Sequence, residues 1–243
     1  MTLLAIDCGN SRLKWGFCQT APEHNVHWLA QGALPYADLA GFADILRAQP
    51  LAERAVVANV AGALVADVIS ATLSALQLPA HWARGQAEQC GVRNHYEQPE
   101  QLGADRWAAL IGARHLHRGP CLVVSAGTAS TVDVLDADGN FQGGLILPGA
   151  DLMLRALAQN TAQLPLSDGH FTGLPRNTAD AITSGCLHAQ LGAIERMYAQ
   201  VAALPDAICL VTGGGASQFF DLLRIPKRWV DNLVLEGLVR IGD

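Results

Sequence analysis

The sequence predicts an α/β protein built twice over, with a mixed sheet in each of two lobes. Three observations carry this. Apolar strand-like runs open each half and then alternate with helical stretches. LLAIDCGNSRLKWGF in the first half is echoed by LVVSAGTASTVDVL in the second, placing Gly9 on Gly127, Asn10 on Thr128 and Asp7 on Ser125. Half of the 243 residues are hydrophobic, enough for a sizeable core.

The elements follow in order. Leu3–Asp7 and Leu13–Cys18 read as strands around the polar turn Cys8–Arg12, and His27–Ala33 as a third strand. Tyr36–Arg47 has helical composition, Ala55–Val60 reads as a buried strand, and a helix is expected over about Leu64–Leu76. A short strand at His81–Arg84 and a helix over Ala104–His117 complete the first half. The second half repeats the pattern. Strands are expected at Cys121–Ser125, Thr131–Leu135 and Gly143–Pro148, with Asp138-Gly139-Asn140 as a turn. Helices are expected at Ala150–Asn160 and Ala179–Ala202. Ile208–Thr212 is a strand that runs into Gly213-Gly214-Gly215 and a short helix, and Asn232–Ile241 closes as a helix. The lobes are read as 1–118 and 119–243, with no low-complexity linker between them.

Composition limits the partners. A net charge of −6 argues against nucleic acid, which calls for a basic face. The N-terminal run lacks a basic leader segment, and the most apolar internal run, Ala55–Ala66, falls short of the roughly 20 residues that span a bilayer. No membrane partner and a cytoplasmic location are therefore expected. Six scattered cysteines include no CxxC pair and read as buried structural thiols. His115 and His117 are two apart, on different helix faces, which disfavours a metal pair. Trp15 and Trp107 read as packing residues.

The two Gly turns are the candidate chemistry. A glycine lets backbone approach an anion, and successive N–H groups with a short polar side chain then face phosphate oxygens. There is no GxxxxGK[ST] loop and no HRD or DFG set, so a nucleotide would be held by hairpin turns of two lobes. Either turn alone reads better as an ordinary β-turn; the pair is what points to phosphate. Asp7, at a strand end before its turn, suits a Mg²⁺ held against phosphates.

Asp7-Cys8-Gly9-Asn10-Ser11 followed by Lys14 resembles the first phosphate motif of the type III pantothenate kinase family. Gly103-Ala104-Asp105-Arg106 is similar to its GxDR substrate motif, Gly127-Thr128-Ala129 to its GTA motif, and Gly143–Gly149 to its GGxIxPG segment. Thr178, ahead of Ala181 and Gly185, resembles its later substrate threonine, and Gly213–Ala216, with Gly214, its nucleotide-side glycines. These stand in family order across nearly the whole chain.

The resemblance implies the two-lobed actin/hexokinase-like (ribonuclease H-like) fold and a homodimer. It implies ATP with Mg²⁺ as cofactors, and transfer of phosphate to the primary hydroxyl of pantothenate, the first step of coenzyme A synthesis. It implies Asp105 as the base that accepts the hydroxyl proton. Asp105 is equally placed to satisfy the start of an Ala-rich helix. It implies Asn10, Ser11, Lys14 and Thr128 on ATP phosphates, with Tyr96, Gly103, Ala104, Arg106 and Thr178 on pantothenate. Tyr96 lies seven residues before Gly103 and reads alternatively as a loop aromatic; Thr178 also reads as a helix cap. Ser125 departs from the family pattern, in which an aspartate there holds an activating K⁺ or NH₄⁺. A neutral serine supplies less charge, so weak or no monovalent-cation dependence is expected. Two alternatives remain open: a kinase for another small hydroxylated acceptor, and a non-catalytic regulator on the same fold.

Overall fold

A computed structural model describes residues 2–20, 26–162, 164 and 168–243. In chain order the elements are β1 (Thr2–Cys8), β2 (Arg12–Thr20), β3 (Val26–Pro35), α1 (Phe42–Arg47), β4 (Arg54–Asn59), α2 (Ala63–Ala75), β5 (Ala80–Trp82), β6 (Glu88–Gln89), β7 (Val92–Asn94) and α3 (Ala104–Leu116). They continue as β8 (Cys121–Ala126), β9 (Ala129–Leu135), β10 (Asn140–Pro148), α4 (Ala150–Asn160), α5 (Thr178–Tyr198), β11 (Ile208–Thr212), β12 (Lys227–Trp229) and α6 (Leu233–Gly242). Two compact units result. The first is Met1–His117 with Gly139–Phe141 and Asn232–Asp243; the second is Arg118–Asp138 with Gln142–Asp231.

The first unit holds a five-stranded sheet in the order β3-β2-β1-β4-β5. β1 is antiparallel to β2, with Asp7 opposite Lys14, and parallel to β4, with Asp7 opposite Ala58. Alternate side chains of β1 enter different clusters, as the two-residue period of a strand requires. Leu4, Ile6 and Cys8 pack with Phe42, Ile69 and Leu73 on one face. Leu3 and Ala5 pack with Ala108, Leu235 and Leu238 on the other.

The terminal helix α6, which the sequence places with the second lobe, belongs to the first unit for that reason. Its Leu235, Leu238 and Val239 are fully or almost fully buried against the face of β1 and β4 that α1 and α2 leave open.

The strands of the second unit lie in the order β12-β11-β8-β9-β10. β8 is antiparallel to β9, with Ser125 opposite Thr131, and parallel to β11, with Ser125 opposite Thr212. This repeats the arrangement of the first sheet and gives the internal echo a topological basis. Leu122, Val124, Val132 and Val134 pack against Leu187, Leu191 and Ile194 of α5.

Three differences from the sequence reading stand out. Tyr36–Gly41 is a 3₁₀ turn and only Phe42–Arg47 is α-helical. β6, β7 and β12 have two or three residues each, too few to show a period. Cys90 is exposed while the other five cysteines are buried. Cys90 sits in the turn between β6 and β7 with φ of 50°, outside any apolar run. No helix among the described residues is long and apolar enough to cross a membrane.

Candidate active site

In the first unit the main features gather at the end of β1 and the start of α3. Asp7 is 8% exposed, and its Oδ1 is buried with no hydrogen-bond partner. Burial raises its carboxyl to about 7; Lys14, its cross-strand neighbour, pulls the value down and Asp105 pushes it up. Lys14 and Asp105 thus both act electrostatically on the Asp7 carboxyl. Gly9 lies in the turn after β1, and Asn10 and Ser11 beyond it are exposed.

Tyr36, which sequence reasoning missed, donates its hydroxyl hydrogen to the carbonyl oxygen of Gly9. It ties the 3₁₀ turn after β3 to the first Gly turn. No local pattern announces a hydrogen bond across 27 residues.

Asp105 stands in the first turn of α3. Its Oδ1 accepts the backbone N–H of Arg106 at 2.8 Å, so it does satisfy the helix start. Burial nonetheless raises its carboxyl above the ordinary range, against the lowering effect of Arg106. Gly103 makes room: a Cβ there would come 2.7 Å from Asp105 Oδ1. Ala104 is partly buried in the hydrophobic cluster beneath α6.

Arg106 is 5% exposed and donates to the Tyr96 hydroxyl at 2.9 Å. Its guanidinium lies 5.7 Å from the Tyr96 ring centre and 5.8 Å from that of Phe141. Tyr96 is thus held between Arg106 and Phe141 rather than free in a loop. Phe141 packs on both Tyr96 and Arg106, a contact that no motif in the sequence signalled. Trp107 is fully buried, its indole N–H on Gln89 at 2.9 Å; Trp15 is buried too, so both pack as expected.

The second unit holds the other candidates. Gly127 and Thr128 form the exposed turn between β8 and β9, closed by the Gly127 N–H on the Ala129 carbonyl at 3.0 Å. Gly213, with φ of +96°, brings the start of the Gly214–Gln218 3₁₀ turn against Ala126. Ser125 lies beneath the turn, with Thr131 opposite and Thr212 alongside. Thr131 Oγ1 is buried without a partner.

Thr178 opens α5 and is exposed; Asn177, not Thr178, is the cap, its side chain accepting from the Asp180 N–H at 2.9 Å. Thr178 instead lines a groove of about 1300 Å³ between α4 and α5, with Leu152, Ala156, Ala181, Gly185 and Ala189. Among the described residues no cluster of His, Cys, Asp and Glu could hold a metal as three or more ligands. Asp7 alone, an acceptor buried without a donor, fits a hard cation that also takes phosphate oxygens.

The duplicated strand order, with a Gly turn joining the first strand pair of each unit, defines an α/β fold of the actin/hexokinase class. Solved structures agree. A Baf-family protein from Campylobacter jejuni superposes with a TM-score of 0.62 at 18% identity, covering 98% of this chain and 96% of that one. The activator of 2-hydroxyisocaproyl-CoA dehydratase from Clostridium difficile, with bound ADPNP, superposes with a TM-score of 0.52 at 10% identity, covering 100% and 95%. At these identities the likeness shows the fold alone.

Sequence comparison goes further. The family model for type III pantothenate kinase matches residues 3–200. The type III pantothenate kinase of Aromatoleum aromaticum is 58% identical, over 99% of this chain and 97% of its own. That of an Azoarcus species is 53% identical, over 99% and 90%. The chain belongs to the type III pantothenate kinase family.

Proposed function

We propose that this chain transfers the γ-phosphate of ATP to the primary hydroxyl of pantothenate, and that Asp105 is its catalytic base. The observation that carries the reading is the carboxylate pair of the first unit: Asp7 and Asp105, electrostatically coupled and both raised by burial. A raised carboxyl accepts a proton more readily near neutral pH, which suits a base for an alcohol. Phosphoryl transfer asks little covalent chemistry of a protein; positioning and charge supply most of the acceleration. Asp105 is fixed by the Arg106 N–H and by the space at Gly103, so its free oxygen is oriented before substrate arrives.

Asp7 would hold Mg²⁺ with ATP, and that ion would offset phosphate charge. Gly9, Asn10, Ser11 and Lys14 would bind phosphates from the first turn, and Gly127 and Thr128 from the second, with Gly214 on the nucleotide. Tyr96, Arg106 and Thr178 would bind pantothenate, with Gly103 and Ala104 shaping its seat. The apolar groove beside Thr178, which exposes Leu152 at 38%, supports a homodimer that covers it. Sedimentation at micromolar concentration tests this; a monomer with full activity would overturn it.

The deciding experiment is Mg²⁺- and ATP-dependent phosphorylation of pantothenate by the wild type and Asp105→Asn. Turnover that falls by about 10²- to 10⁴-fold in the variant is expected. An unaffected variant would remove Asp105 from its role. Absent wild-type turnover from protein that binds ATP would point to another acceptor.

A further inference from the structure

The second Gly turn has a support that none of its own residues provides. Gly149, the residue before α4, is buried and donates its N–H to the Thr128 carbonyl at 2.9 Å. A Cβ on Gly149 would overlap the Gly127 carbonyl oxygen and stand 2.9 Å from that of Thr128. Real Cβ atoms do not approach backbone oxygen so closely, and neither carbonyl is the end of a flexible side chain. Any residue other than glycine must push the turn away.

The corner that carries Gly149 is held in turn. Gln190 of α5, fully buried, donates Nε2 to the Pro148 carbonyl at 2.8 Å. Its Oε1 is buried without a partner, so this amide is kept at a cost. On the other side of Gly149, Asp151 accepts from Gln218 at 2.9 Å, and Gln218 ends the 3₁₀ turn that Gly213 begins. Gly213 in its turn leaves no room for a Cβ against the Ala126 carbonyl.

We propose that Gly149 is a positioning residue for nucleotide binding, fixing the Gly127-Thr128 turn by close backbone packing, with Gln190 locking its corner from α5. The inference rests on the reading of that turn as a phosphate loop. Exposed turns with few contacts are mobile. A turn packed against a glycine backbone presents its N–H groups in one arrangement, so ordering costs less when phosphate binds.

The test is calorimetric titration of Gly149→Ala with Mg-ATP, and separately with pantothenate in the absence of nucleotide. The dissociation constant for ATP rises tenfold or more, and that for pantothenate stays within twofold of wild type. Equal losses for both ligands, or no loss for ATP, would overturn the proposal. Should Gly149→Ala fail to fold, Gln190→Leu decides: ATP binding weakens threefold to tenfold with pantothenate unchanged, and unaltered ATP binding refutes it. Thr128→Ala separates the two layers. If it leaves ATP affinity intact, the phosphate-loop reading fails; if it weakens ATP while Gly149→Ala does not, only the role of Gly149 fails.

Discussion

The first sheet and the strand set of the second unit repeat one order, β3-β2-β1-β4-β5 against β10-β9-β8-β11-β12, yet they finish differently. In the first, the residue two before the turn glycine is Asp7, opposite Lys14. In the second it is Ser125, opposite Thr131. The turns are also secured differently. A side chain, Tyr36, holds the first through the Gly9 carbonyl, whereas backbone packing by Gly149 and Gly213 holds the second. One topology thus supports a charged half and a neutral half. Backbone pairing depends on strand pattern, while the strand-end residues are free to specialise.

The largest effect expected from this asymmetry is on activity. Asp7→Asn keeps the shape but removes the carboxylate at that strand end, and kcat/KM falls about 10³-fold, within the range for lost electrostatic stabilisation. Ser125→Ala, its topological counterpart, changes kcat/KM less than threefold. Equal losses would show that the two halves share the work. The same substitution has an opposite effect on stability. The Asp7 carboxyl goes from an ordinary 3.8 to about 7 in the folded protein. Between those values the folded state holds a proton that the unfolded chain has lost, so stability without metal falls as pH rises through this window and levels off above 7. The shift corresponds to at most about 4 kcal/mol. Asp7→Asn lacks that penalty, and its denaturant midpoint at pH 8 without Mg²⁺ exceeds that of wild type.

The next effect is about tenfold. Below pH 7 the Asp7 carboxyl holds its proton, which a Mg²⁺ bound there as proposed would have to displace. Affinity for Mg²⁺ in the presence of a nonhydrolysable ATP analogue therefore falls about tenfold from pH 8 to pH 6, by calorimetry. In Asp105→Asn the like charge that raises Asp7 is gone, and the fall shifts to lower pH. A pH-independent affinity would remove Asp7 from the metal.

A smaller loss, about twofold to tenfold in ATP affinity, is expected for Tyr36→Phe, from one hydrogen bond of about 0.5–1.5 kcal/mol. Its kcat stays close to wild type. An unchanged KM for ATP would mean that the first turn holds itself.

Why some of this was legible in sequence and some was not has a physical basis. The strand–Gly turn–strand units are local, and their apolar runs read directly as β1, β2, β8 and β9. Asp105 and its helix likewise lie in one continuous stretch, with Gly103 as a visible mark. Tyr36 and Gln190 reach their carbonyl partners across 27 and 42 residues, and no periodicity encodes such pairings. The unit to which α6 belongs was hidden similarly. Its apolar face fits any open sheet face, and only the three-dimensional arrangement shows that β1 and β4 offer one. Phe141 carries no motif of its own in the sequence, and its place beside Tyr96 and Arg106 depends on the pairing of Asn140 and Phe141 with β7.

The smallest effect is the sharpest on the neutral half. Ser125 brings a hydroxyl beside Thr131 and Thr212, three short polar side chains on adjacent strands with no formal charge among them. Hydroxyl oxygens coordinate a monovalent cation weakly unless a carboxylate offsets its dehydration. Replacing Na⁺ with K⁺ or NH₄⁺ at constant ionic strength should therefore change the wild-type rate less than twofold. Ser125→Asp restores a carboxylate next to Thr131 Oγ1, which is buried and unpartnered. That variant should acquire stimulation by K⁺ severalfold above wild type. Strong stimulation of the wild type would show that neutral oxygens suffice there, and would leave Asp7 as a difference of metal type rather than of charge.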